Sequence, residues 1–232
     1  MGEQIVISCG MLMDEVKYVR DKLGYTSKII WTKRSLHQDP QVLRKGLQQL
    51  INSNQDKDEI LFTFGLCGNG TSGLVSEHTK LVFPRFHDCI QQLLLKRSYK
   101  EEDFEQINLA GHYYLTRGWT LDKESLYYQT ILIIKRFGID YGKEILTTLY
   151  EDYTDVDVID TGAYDVEKVM KHAGKLVKLM NLTVKNVHLD VNKIPGSTLI
   201  IEKLLSGNWD DDFIVLEPGE KLEWSHFFDD EK

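Results

Sequence analysis

Apolar positions along the 232-residue chain follow two rhythms. Short unbroken apolar runs mark strands buried on both faces; they fall at Gln4 to Ser8, Lys28 to Thr32, Glu59 to Phe64 and Leu81 to Phe83. Between them, spacings of three and four residues predict helices. Val16, Val19 and Leu23 give one from about Asp14, stopped by Gly24. Asp39-Pro40 reads as an N-cap with proline at the first helical position, and Val42, Leu43, Leu47, Leu50 and Ile51 form the stripe that follows. A third helix runs through Ile90 to Leu95.

The second half continues in this style. An extended piece at Tyr113 to Leu115 precedes helices at about Asp122 to Phe137 and Tyr141 to Tyr150. A strand at Val156 to Ile159 leads into the best amphipathic helix, Val166 to Met180. Its apolar face is Val166, Val169, Met170, Ala173, Leu176, Val177 and Met180. A strand near Val184 to Leu189, a helix at Gly196 to Leu205 and a strand at Phe213 to Leu216 complete the series. Strands alternating with helices predict an α/β fold: a mainly parallel, doubly wound, Rossmann-like sheet with helices on both faces. We expect a single domain over 1–232, divisible into similar lobes at about 1–110 and 111–226. Residues 227–232 form an acidic tail expected to fray.

Composition narrows the function classes. Acidic residues number 36 against 28 basic, a net charge of -8. This argues against nucleic acid as a partner, since duplex binders carry a basic face. No stretch approaches the ~20 apolar residues of a membrane helix, and Met1-Gly2-Glu3-Gln4 lacks the basic and apolar regions of a secretion signal. A cytoplasmic location is expected. Three cysteines, an odd number, argue against a structural disulfide framework there.

The cysteines carry the strongest chemical signal. Cys9 and Cys67 each follow an apolar strand and precede glycine, and Cys89 opens a helix beyond the fourth strand. Open parallel sheets bind ligands beyond the carboxyl ends of their strands, so one edge should gather all three thiols. A helix N-terminus should favour the thiolate at Cys89 and at Cys9. Three soft thiolates suit a metal centre with one coordination position open: a [4Fe-4S] cluster first, zinc second. The Gly65–Gly73 loop, with Gly68, Asn69 and Gly70, is a candidate anion or cofactor cradle, and Thr161 is another beyond Ile159. Arg85 and His87 are the candidate catalytic pair, Arg85 holding an anion and His87 moving a proton. Asp88 reads as a helix N-cap. Trp119 and Tyr113 either wall a cavity or close the core. The Asp210-Asp211-Asp212 run reads as a charged turn leading into the last strand, in preference to a magnesium site.

Several segments together resemble the domain-of-unknown-function 1638 family of methanogens and anaerobic bacteria. They are Ser8-Cys9-Gly10, Phe64-Gly65-Leu66-Cys67-Gly68-Asn69-Gly70, Pro84-Arg85-Phe86-His87-Asp88-Cys89-Ile90, Tyr113-Tyr114-Leu115-Thr116-Arg117-Gly118-Trp119, Asp160-Thr161-Gly162, and Trp209-Asp210-Asp211-Asp212-Phe213 with Pro218-Gly219. The resemblance includes the three cysteine positions and implies a setting in one-carbon and methylamine corrinoid metabolism.

The leading expectation is a metal-binding protein whose Cys9, Cys67 and Cys89 hold the centre. Its open position would take a small anionic or thiol-bearing molecule, as in a metal-dependent transferase or lyase. The alternative is a non-catalytic accessory module that delivers a metal or corrinoid, or docks on a methyltransferase. A third reading makes Cys89 a nucleophile with His87 as its base.

Overall fold

The computed structural model describes residues 3–95, 111–183 and 186–228. The chain forms two compact units, 1–107 with 196–232, and 108–195. Both are α/β.

The first unit is built on a five-stranded sheet. Its strands are β1 (Gln4–Ser8), β2 (Lys28–Trp31), β3 (Glu59–Phe62), β4 (Lys80–Pro84) and β8 (Phe213–Leu216), in the order β2-β1-β3-β4-β8. The first four are parallel and β8 closes the edge antiparallel to β4. In β1, Ile5, Val6, Ile7 and Ser8 are buried in succession, and β3 and β4 behave alike. Consecutive burial means that both faces of the sheet are covered, as their unbroken apolar runs predict. Phe62 and Phe83 stack across the middle at 4.2 Å.

Three helices accompany these strands. Helix α1 (Met13–Leu23) is entered through a 3₁₀ turn at Gly10–Leu12. It buries Glu15, Val16 and Val19, while Leu23 is exposed. Helix α2 (Pro40–Asn52) starts where Asp39 accepts hydrogen bonds from the Gln41 and Val42 amides. It buries Leu43, Leu47 and Ile51, a four-residue spacing that leaves Val42 in solvent. Helix α3 (Cys89–Leu94) is short and capped by Asp88, which accepts from the Gln91 amide at 2.8 Å.

The second unit has a three-stranded parallel sheet. Its strands are β5 (His112–Leu115), β6 (Asp155–Asp160) and β7 (His188–Lys193), in that order. Its helices are α4 (Arg117–Thr120), α5 (Leu126–Phe137), α6 (Ile139–Tyr150) and α7 (Val166–Met180). The apolar face of α7 packs as expected, with Val169, Ala173, Leu176 and Met180 buried among Leu115, Val156 and Val158. Tyr113 and Trp119 pack partly buried against that cluster, edge to face, and so close the core. The last strand starts at His188 rather than Val184, and residues 184–185 lie outside the described ones.

Helix α8 (Leu199–Ser206) then returns to the first unit, where Glu202 pairs with Lys22 of α1 at 2.8 Å. The tail is anchored at its start: Phe227 is fully buried and Phe228 packs on His87. Residues 229–232 lie outside the described ones. No helix among the described residues is long and apolar enough to cross a membrane.

Candidate functional site

The three cysteines fall beyond the carboxyl ends of β1, β3 and β4, which are neighbours in the sheet. Backbone hydrogen bonds then lash their loops together. The Cys9 amide donates to Thr63 Oγ1 (3.0 Å), just past β3. The Leu66 and Cys67 amides donate to the carbonyls of Phe86 and His87 at 2.9 and 2.7 Å. This brings Cys67 alongside the segment that ends in Cys89. Gly65 makes the approach possible: a Cβ there would lie 2.1 Å from the Phe86 carbonyl oxygen.

The loop then turns through three successive left-handed residues: Cys67 (φ 49), Gly68 (φ 62) and Asn69 (φ 69). Glycine and asparagine tolerate this region, whereas cysteine in it is strained by roughly 1 kcal/mol. The Gly70 amide closes the turn on the Cys67 carbonyl at 3.0 Å, and Arg44 holds the Asn69 carbonyl at 2.6 Å. Thr71 fastens the loop from within by donating from Oγ1 to the Gly65 carbonyl (2.9 Å). Gly68 and Asn69 are exposed and Gly70 is buried.

The thiols act on one another electrostatically. Charge on Cys9 raises the pKa of both Cys67 and Cys89, and charge on Cys67 raises that of Cys89. Burial is the larger cause in each case. It pushes Cys9 up to about 11 and the other two well above the ordinary thiol range. The helix start at Cys89 therefore does not favour the thiolate: desolvation outweighs it, and the metal-free thiols are neutral. Among the described residues, no three His, Cys, Asp or Glu side chains are arranged as around a metal ion.

His87 is buried, its ring edge-on to Phe228 at 4.8 Å, and its amide donates to Gln91 Oε1 at 3.1 Å. Burial lowers the pKa of its imidazole, so the ring is neutral near pH 7. Arg85 is fixed at the end of β4 by its amide, which donates to the Asp212 carbonyl at 2.7 Å. Thr161 belongs to the second unit, at the end of β6, where Oγ1 accepts from the Ala163 amide at 3.4 Å. The cap of α7 is Asp165. Asp210 and Asp212 pair with Lys203 at 2.6 and 2.7 Å, which makes that run a charged turn.

Three residues at the thiol edge escaped the sequence pattern. Glu15 is fully buried, and its charge reaches Cys9 and Cys89. Arg34 is the cation whose charge lowers the pKa of Cys9. Gln92 is fully buried and neither amide atom has a hydrogen-bond partner among the described residues. It stands three residues after Cys89, on the same side of α3. A buried amide without a partner calls for a water, ion or ligand.

One family model matches residues 31–197; the family is described as "Protein of unknown function (DUF1638)". Cys67, Cys89, Arg85, His87 and Thr161 lie within the match, and Cys9 precedes it. Neither the curated proteins nor the solved structures contain a match.

Proposed function

This chain belongs to the DUF1638 family, and from that premise we propose that its first unit carries a thiolate-held metal centre on Cys9, Cys67 and Cys89. The observation that carries the reading is the convergence of three strand-end loops beyond neighbouring strands, tied together by the Cys9 amide on Thr63 and the Leu66 and Cys67 amides on Phe86 and His87. The donor set fits soft metals: three sulfurs match an iron–sulfur cluster first and zinc second. Strain at Cys67 adds support, because backbone strain concentrates where function requires a side chain in one place.

Bound there, the metal supplies a Lewis acid at the one position that three protein ligands leave open. The chain's own residues do the rest. Neutral His87 accepts a proton from a thiol-bearing substrate. Arg85 holds a small anionic one. Gln92 offers its amide to a polar group that enters the buried edge. The proposal extends to a transferase or lyase in one-carbon or corrinoid chemistry on the family resemblance alone.

Anaerobic purification of the full chain tests the reading. We expect stoichiometric iron and sulfide, or zinc. With iron, absorption at about 350–450 nm from thiolate-to-metal charge transfer should accompany it. A colourless protein without stoichiometric metal after anaerobic handling and reconstitution overturns it.

A further inference from the structure

We propose that Arg34 is a carboxylate anchor at the thiol edge, its guanidinium fork holding the carboxylate of a small acid that enters beside Cys9. The inference rests on the reading of that edge as a ligand site and names the charge class of what enters it.

Topology and close contact place the residue. Strand β2 is the parallel neighbour of β1, so the loop after it leaves the sheet at the same carboxyl edge as the loops that carry the cysteines. Thr32 ties that loop down: its amide and its Oγ1 both donate to the Ser8 carbonyl, at 2.9 and 3.3 Å. Arg34 then opens the 3₁₀ turn Arg34–Gln38, where the His37 ring donates to the Arg34 carbonyl. Gly10 admits this segment onto the Cys9 loop. A Cβ there would stand 2.5 Å from the Thr32 carbonyl oxygen and 3.3 Å from Arg34 Cγ. The Arg34 side chain thus passes over the residue that follows Cys9.

Pairing makes the second argument. Arg34 Nε is buried without a hydrogen-bond partner, and no carboxylate among the described residues pairs with the guanidinium. An arginine that only covers apolar surface keeps its charged head in water. Shielding a guanidinium nitrogen with nothing to accept its hydrogen is costly, and an acceptor arriving from outside removes that cost. The positive charge is also felt at the site, where it favours the Cys9 thiolate against the larger, opposing effect of burial. Shape makes the third argument. One planar fork matches one planar, singly charged carboxylate through two parallel N–H···O bonds.

The test titrates the ¹⁵N-labelled, metal-free full chain with sodium acetate and with sodium chloride at matched ionic strength, and follows the arginine Nε–H correlations. The Arg34 signal is the one missing from Arg34→Lys. It should move saturably with acetate and not with chloride, while Arg20, already paired with Asp21 at 2.7 Å, serves as the internal reference. Acetate affinity, read from ¹³C-acetate line broadening, should fall by about tenfold or more in Arg34→Gln and recover in part in Arg34→Lys. An Arg34 signal in wild type that ignores acetate, or that responds equally to chloride, overturns the proposal and leaves the thiol centre standing. Saturable acetate binding at Arg34 in a chain that takes up no metal supports the anchor and overturns the thiol centre instead.

Discussion

The two units spend their polar residues in different places. In the first, β1, β3 and β4 are buried along their length, and the chemistry-bearing side chains begin where the strands stop. In the second, the strands alternate. Val156 and Val158 face the helical core, while the register puts His112, Asp155 and His188 in one row and Tyr114, Asp157 and Asp190 in the next on the opposite face. That face carries a polar network of its own. Asp157 is buried, with His112 Nδ1 at 2.5 Å on one oxygen and Asn192 Nδ2 donating to the other at 2.8 Å. His112 also stands 3.6 Å from Asp155. A sheet covered on both faces pushes function to its edge, whereas a sheet with one polar face uses polar groups as structure.

This contrast makes graded predictions. The largest effect belongs to the covered sheet. Phe62→Ala removes one ring of the stack on Phe83 and should destabilise the protein by about 3–5 kcal/mol in urea unfolding. A cost below 1 kcal/mol would mean that the five-stranded sheet is not tightly packed there.

Next comes the pH response of the metal-free protein. The folded Cys9 thiol titrates near 11, above its unfolded value, so the folded state keeps a proton that the unfolded state loses. Stability from this group is complete below about pH 8.5 and falls as pH rises towards 11, by up to about 1.4 kcal/mol per unit. Urea midpoints of wild type should decline over that window more steeply than those of Cys9→Ala. Equal slopes would contradict a neutral, desolvated Cys9.

The polar face should behave oppositely to the thiol edge. Asp157→Ala strands His112 Nδ1 and Asn192 Nδ2, and should cost about 1–3 kcal/mol while leaving metal content unchanged. Loss of metal in that variant would join the two regions in one function and break the contrast.

The smallest effect is the most pointed. Cys67→Gly relieves a left-handed cysteine and should raise metal-free stability by up to about 1 kcal/mol, while metal uptake is lost. Unchanged metal uptake would remove Cys67 from the site.

Much of this was legible in the chain itself. Unbroken apolar runs announced the covered strands, Asp39-Pro40 and Asp88 announced helix starts, and the cysteines marked the carboxyl ends of three neighbouring strands. The polar side of the second sheet was harder to read. The six residues of β7 from His188 are mostly polar, so the apolar pattern placed that strand too early. Glu15 stayed hidden because an acidic residue in a first helical turn reads as ordinary dipole complementation. Its burial depends on what α1 packs against, which local spacing does not encode. Gln92 and Arg34 were silent for the same reason: each gains its meaning from distant segments brought to one sheet edge.

Metal-edge X-ray absorption on the anaerobically loaded full chain tests the central claim most directly. The account predicts three sulfur neighbours from protein at about 2.3 Å from zinc or cobalt, reduced to two in Cys67→Ser. A first shell of oxygen and nitrogen alone, or one unchanged by that substitution, would contradict it.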